Sequence, residues 1–364
     1  MNKIKAFLAR KGVVCSFRQY GVDALGAMAQ GLFCTLLVGT ILNTLGQQLH
    51  IGFLTAPVVS VGTVSYTVGG LASAMVGPGI AVAIGTALHC PPLVLFSLIP
   101  VGFAANAMGG AGGPLAVYAV TIIAAELGKL VSKETRIDIL VTPCVTVIAG
   151  IAVAQLIAAP IGTAARAVGL AIMWATELQP FFMGVLVSAL IGIALTLPIS
   201  SAAICAAFGL TGLAGGAAVA GCCAQMVGFA VMSFKENRWG GLVAQGVGTS
   251  MLQMPNILKN PRIWIPPTLA SMITGPLATC VFKLQMNGSP VSSGMGTCGF
   301  VGQIGVYTGW VSDVAAGTKT AITPMDWIGL VLICFILPAV LSTLFCRLLE
   351  KRGWIREGDL KLDL

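Results

Sequence analysis

Apolar residues run through this chain in long blocks separated by short polar or glycine-rich connections, and a stretch such as 139–162 carries almost nothing that a water-facing surface could use. A helix needs about 20 apolar residues to cross the hydrocarbon core of a bilayer. On that ruler the blocks predict spans near 25–46, 53–76, 79–104, 113–130, 139–160, 181–198, 203–232, 241–254 with its loop, 264–282 and 326–346. The expected fold class is an all-α polytopic membrane protein of about ten transmembrane helices. Residues 199–232 are long for one span, and 284–312 are too rich in Gly and Ser for a lipid-facing helix. One or both are expected to be broken helices or re-entrant hairpins, which a bilayer tolerates only where the irregular backbone is buried in protein or lines water.

Composition sharpens this picture. The chain is 57% hydrophobic and only 9% charged, with a mean hydropathy of +0.94, whereas a soluble domain is about 25% charged. Soluble enzymes, nucleic-acid binders and secreted disulfide scaffolds are excluded. The 46 glycines and 18 prolines often interrupt apolar runs, which lets helices pack closely or break. Gly212, Gly216 and Gly221 place small residues for tight packing, either within one chain or in a homodimer. The 11 cysteines show no metal-ligand spacing and read as small apolar fillers; no metal or cofactor is expected.

Charge sets an expected topology. Lys3, Lys5, Arg10, Lys11 and Arg18 precede the first block, and Arg347, Lys351, Arg352, Arg356 and Lys361 follow the last. The positive-inside rule then puts both termini in the cytoplasm and requires an even number of crossings. Residues 1–18, with Ile4, Phe7, Leu8, Val14 and Phe17 among the bases, are expected to form an amphipathic helix on the inner leaflet. Residues 19–346 would form the transport domain and 347–364 a basic cytoplasmic tail. Anionic lipid accounts for much of the +8 net charge without invoking nucleic acid.

Polar groups at membrane depth are costly unless paired or wet, so the places where they gather are candidate sites. One is the run FKENRWGGLVAQGVGTSMLQMPNILKNPRIWIPP at 234–267. There Gln245, Gln253 and Asn256 offer neutral hydrogen bonds, Glu236 a carboxylate and Asn237 a further amide, around a break at Pro255; Lys235 and Arg238 read as interfacial. A second is NGSPVSSGMGTCGFVGQIG at 287–305. Its G-x-G-x-x-G spelling has no βαβ unit around it and is no dinucleotide site; a re-entrant loop presenting backbone amides and Gln303, or a close-packed turn, fits better. In the first half, NAMGGAGGP opens a break at Asn106. His89, beside Pro91 and Pro92, is expected inside a span, as a proton carrier, a solute donor, or a ring satisfied by a carbonyl freed at the break. Glu177 either meets a polyhydroxy solute or a proton, or lies on an interfacial helix anchored by Trp174.

The two long polar runs resemble the membrane IIC components of the bacterial sugar phosphotransferase system, in the branch that includes the perfringolysin-regulator-like proteins, and the resemblance covers about 20–346. It implies a homodimeric IIC-type transporter in the plasma membrane that moves a sugar or similar solute inward by alternating access. A separate IIB protein, supplied by IIA, would phosphorylate the solute, since this chain carries neither domain. The resemblance further implies a glutamate and a histidine near the phosphorylated hydroxyl; Glu236, Glu177 and His89 have the required chemistry. Two rival functions stay open: an IIC-like membrane sensor without phosphotransfer, and a proton-coupled carrier using His89 and Glu177. The transporter reading expects Gln253, Asn256 and Gln303 to line one hydrated chamber.

Overall fold

In lipid, a spanning segment must satisfy its own backbone hydrogen bonds, which leaves helices as the solution for apolar blocks of this length. The computed structural model describes residues 7, 8, 10–13 and 16–362, and they are helical almost throughout. Half of the amphipathic helix expected over 1–18 lies outside the described residues. Contacts divide the chain into two units, Met1–Ala165 and Arg166–Leu364.

The first unit begins with α1 (Arg18–Gln48). The block at 53–76 is not one helix. It holds a four-residue helical turn, an antiparallel pair of β1 (Val59–Val61) and β2 (Val64–Tyr66), and then α2 (Val68–Ala74). Alternating β-branched residues favour the strands, and Gly62, at φ +60°, supplies the turn between them. α3 (Val76–Ala87) follows α2 at a 54° bend. The block at 79–104 breaks before α4 (Pro92–Gly109), because a residue preceding proline avoids helical geometry. At Gly110, φ +52°, the chain turns back into α5 (Gly113–Val131). Asn106 packs on Gly113 and Val94 on Gly128, so α4 and α5 form an antiparallel hairpin. The 39-residue α6 (Asp138–Thr176) continues into the second unit and exposes Ile148, Leu156 and Leu170, as a lipid-facing helix does.

The second unit contains α7 (Pro180–Thr196), α8 (Ser201–Ala207), α9 (Gly212–Met232), α10 (Phe234–Val243), α11 (Met254–Lys259), α12 (Ile265–Pro276), α13 (Val301–Ala315) and α14 (Pro324–Lys351). α9 is the buried axis, wrapped by α7, α12 and α14. Its glycines make this possible: Gly216 lies against the Leu284 carbonyl and Gly221 against the Ser188 carbonyl, where a Cβ would collide with backbone. Gly212, at φ +65°, exchanges two backbone hydrogen bonds of 3.0 Å with Met286. The small-residue pattern therefore serves packing within the chain.

Two segments on α9 are hairpins. Residues 234–259 descend through α10, a π turn at Ala244–Gly248 and a 3-10 turn at Ser250–Gln253, then return through α11. Residues 283–315 reach a turn at Cys298–Phe300 and return through α13. The Ala244–Gly248 turn touches the Cys298–Phe300 turn beside α9. Their mouths open at opposite ends. The first is tied to the segment that follows α14, the second to Asp313 and the recess at Asp326, near the start of α14. α14 has 28 residues, so the two ends are about 42 Å apart at the helical rise.

By length and apolarity, five helices among the described residues qualify as crossings, or six with the bent α2–α3 pair, against the ten expected. The difference has physical sources. The stretch Pro92–Val131 qualifies as one but is a two-helix hairpin, α7 (Pro180–Thr196) is an apolar helix of 17 residues and falls just short, and the block at 241–254 is divided among the end of α10, a π turn and a 3-10 turn.

Candidate functional site

Polar side chains in a dry interior must find one another, and in the second unit they do so in a relay. Gln245 Nε2 donates to Ser233 Oγ at 2.9 Å and to the Gly241 carbonyl at 3.0 Å. Gln253 Nε2 donates to Gln245 Oε1, and Asn256 Nδ2 to Gln253 Oε1, both at 2.9 Å. Local sequence explains the geometry: the 3-10 turn ending at Gln253 passes directly into α11, whose early Pro255 brings no N–H into the first turn.

The relay grips the chain's own C-terminal segment. Gln253 Nε2 also donates to the Leu360 carbonyl at 3.0 Å, and Asn256 Nδ2 to the Lys361 carbonyl at 2.8 Å. Asn237 donates to the Leu360 carbonyl and accepts from Leu362 N–H, both at 2.8 Å. Glu236 accepts from Gly358 N–H at 3.0 Å and Leu360 N–H at 3.2 Å. Asn260 donates to the Trp354 carbonyl at 3.0 Å and to Asp359 Oδ2 at 2.7 Å, while Arg262 lies 5.2 Å over the Trp354 ring. Ile355 and Leu360 are buried. Burial raises the Glu236 carboxyl above its usual range; Asp359 and Glu357 add to the rise, and the two backbone N–H groups oppose it. Glu236, Asn237, Gln245, Gln253 and Asn256 are thus brought together, with a partner the sequence did not announce.

A deeper cluster centres on Gln225 of α9. Its Oε1 accepts from Trp264 Nε1 at 3.0 Å and Thr196 Oγ1 at 3.3 Å, and its Nε2 donates to Thr268 Oγ1 at 3.2 Å. The Thr196 and Ser250 hydroxyls pair at 2.8 Å. Gln225, Thr196 and Ser250 are fully buried. Sequence reading passed over Gln225; the signal was a lone amide in a helix otherwise built of small and apolar residues.

Gln303 stands outside the relay. Its Nε2 donates to Cys223 Sγ at 3.1 Å, a weak acceptor, while its Oε1 is buried with no hydrogen-bond partner. Just before the Cys298–Phe300 turn, Thr297 Oγ1 donates to Sδ of Met226 on α9 at 3.5 Å. Gln245 lies in the Ala244–Gly248 turn, Ser250 opens the 3-10 turn that follows it, and Gln303 comes just after the Cys298–Phe300 turn that the first turn touches; apart from the Glu236 end these groups are uncharged.

The remaining candidates lie elsewhere. His89 is exposed in the turn between α3 and α4, with φ +53°, and not inside a helix, because the Pro91–Pro92 pair ends the span there. The Leu88 carbonyl freed at that break accepts from Lys129 Nζ at 3.2 Å, so a lysine and not the histidine satisfies it. His89 lines an open cleft of about 370 Å³ with Ser16, Arg18, Gln19 and Asp23. Asn106 packs at the α4–α5 turn. Glu177 is exposed in the turn between α6 and α7.

Comparison with known proteins gives one positive finding: the family described as "Phosphotransferase system, EIIC" matches residues 22–362. No curated protein and no solved structure matches. The match covers nearly the whole chain, including both hairpins and the C-terminal segment the relay holds, and on that ground the chain belongs to the EIIC family of the phosphotransferase system.

Proposed function

We propose that this permease component of the bacterial plasma membrane carries a sugar or similar small polar solute inward by alternating access, along the zone where the two hairpins meet. A separate IIB protein, recharged by IIA, would phosphorylate the solute at the end bearing the basic C-terminal segment, the cytoplasmic end by the positive-inside rule. The observation that carries this reading is Gln303 Oε1. A buried acceptor without a partner costs about 1–3 kcal/mol, and one kept just past the turn at Cys298–Phe300 suits a neutral hydroxyl-bearing solute that could donate to it. The resemblance to the perfringolysin-regulator-like branch and the homodimer it implies belong to the same proposal.

Proteoliposomes containing the purified protein, with phosphoenolpyruvate and a cytosolic extract of the source cells inside, test it against a panel of labelled neutral sugars. The reading expects one class to accumulate as its phosphate ester; accumulation of none overturns it. A sensor without phosphotransfer is favoured by one observation, the C-terminal segment held across the relay, and would bind a sugar in this assay without accumulating it. His89 and Glu177, both exposed in turns, give a proton-coupled carrier no buried titratable site.

A further inference from the structure

At the end of the second unit opposite the C-terminal segment lies a recess of about 480 Å³, lined by Phe282, Lys283, Gln285, Asn287, Trp310, Asp313, Thr318, Lys319 and Asp326. We propose that it is a capture site for a neutral polyhydroxylated solute on the face where transport begins. The proposal rests on the permease reading and deepens it by adding a first binding step.

Its volume falls within the usual range for small-molecule pockets, about 300–1,000 Å³. One wall is a hydrogen-bonded ladder: Asn287 Nδ2 donates to Gln285 Oε1 at 3.2 Å and to Asp313 Oδ2 at 2.7 Å. The other is the ion pair of Lys319 Nζ with Asp326 Oδ1 at 2.7 Å, fixed in turn by Thr323 N–H and Oγ1 on Asp326 Oδ2 at 2.7 and 2.8 Å. Between them sits the buried Trp310 indole, with Trp327 edge-on at 5.6 Å and Lys319 Nζ 5.6 Å from its centroid. The loop carrying Lys319 is pinned by Thr318 N–H and Lys319 N–H on the Asp313 carbonyl at 3.0 and 3.1 Å. The walls are therefore in place before any solute arrives.

Charge decides the ligand class. Lys283 and Lys319 balance Asp313 and Asp326, so the recess has no net field to favour an anion or a cation. What it offers is alternating donors and acceptors beside an aromatic ring, which suits vicinal hydroxyls on a carbon skeleton. A phosphate ester would find no net positive charge to offset the loss of its hydration, so the recess favours the neutral solute over its phosphorylated product.

The test is equilibrium binding of neutral hexoses, pentoses and alditols, and of their phosphate esters, to the detergent-solubilised full chain, read by tryptophan fluorescence. The wild type and the variants Asp313→Asn and Lys319→Met are compared, with thermal unfolding as the control for folding. The expected result is that a neutral sugar binds, its phosphate ester does not, and each variant weakens binding about tenfold, the loss of one hydrogen bond to a charged group. Absence of any binding, tight binding of phosphate esters, or binding unchanged in both folded variants overturns the proposal. Binding that follows these rules without uptake in proteoliposomes overturns the permease reading and leaves the recess standing. Uptake with variant-insensitive binding does the reverse.

Discussion

Replacing Gln253 with alanine should release the C-terminal segment. Its fully buried side chain makes three hydrogen bonds: to Gln245, from Asn256 and to the Leu360 carbonyl. Taking about 0.6–1 kcal/mol for each bond in a membrane protein gives a cost of roughly 2–3 kcal/mol. Two of these losses fall inside the relay and one, to Leu360, on the segment itself, so losing that one bond raises the open population by a factor of about 3 to 5, and loosening of the relay that holds Asn256 on Lys361 adds to it. Arg356 and Lys361 lie in the held segment, which makes limited trypsin digestion of the detergent-solubilised protein a direct assay. The expected result is slow cleavage at these sites in wild type and fast cleavage in Gln253→Ala, with digestion at the exposed Lys133 unchanged. Asn237→Ala gives a second reading free of relay damage, because both Asn237 side-chain bonds go to the segment. Equal cleavage rates in wild type and both variants would refute the reasoning.

Three further outcomes follow from the same geometry. Glu236 has a carboxyl raised by burial, so the folded protein binds a proton there more tightly than the unfolded chain does. Its contribution to stability is therefore greatest in acid and is lost as pH rises through the raised value; chemical unfolding measured from about pH 4 to pH 8 should show this trend, and Glu236→Gln should flatten it. Gly216→Ala should destabilise the second unit by about 1–3 kcal/mol in chemical unfolding, since the new methyl meets the Leu284 backbone; an unchanged midpoint would show that α9 can shift freely. Lys129 is buried, pairs with Glu126 at 2.8 Å and donates to the Gly12 and Leu88 carbonyls at 3.1 and 3.2 Å. The Glu126 oxygens have no aligned hydrogen bond, so Lys129→Met leaves a carboxylate stranded and should cost about 3–5 kcal/mol, with much of that regained in Glu126→Gln/Lys129→Met.

Hydropathy made the solvent of this chain legible but not the continuity of its helices. An apolar block reads alike whether it crosses once or turns back, so 79–104 conceals the break between α3 and α4 and 53–76 a strand pair whose β-branched alternation was on view, whereas the glycine run after Asn106 and the excess length of 199–232 did announce their breaks. The amide cluster was legible because polar side chains in an apolar chain need partners, and Gln245, Gln253 and Asn256 do bond to one another. Their second partner was hidden by sequence distance: Leu360 lies 107 residues from Gln253, and a basic tail looks like a solvated one. His89 misled because two prolines that end a span also leave its last residue in water.

Gln303 offers the most direct test of the central claim that the hairpin tips bind the solute. Methionine has nearly the same shape and removes the unpartnered Oε1 together with only a weak bond to Cys223. If the acceptor is kept for the solute, Gln303→Met should unfold at or above the wild-type temperature yet lose sugar accumulation in phosphoenolpyruvate-driven proteoliposomes. Full accumulation by a Gln303→Met protein of wild-type stability would contradict it.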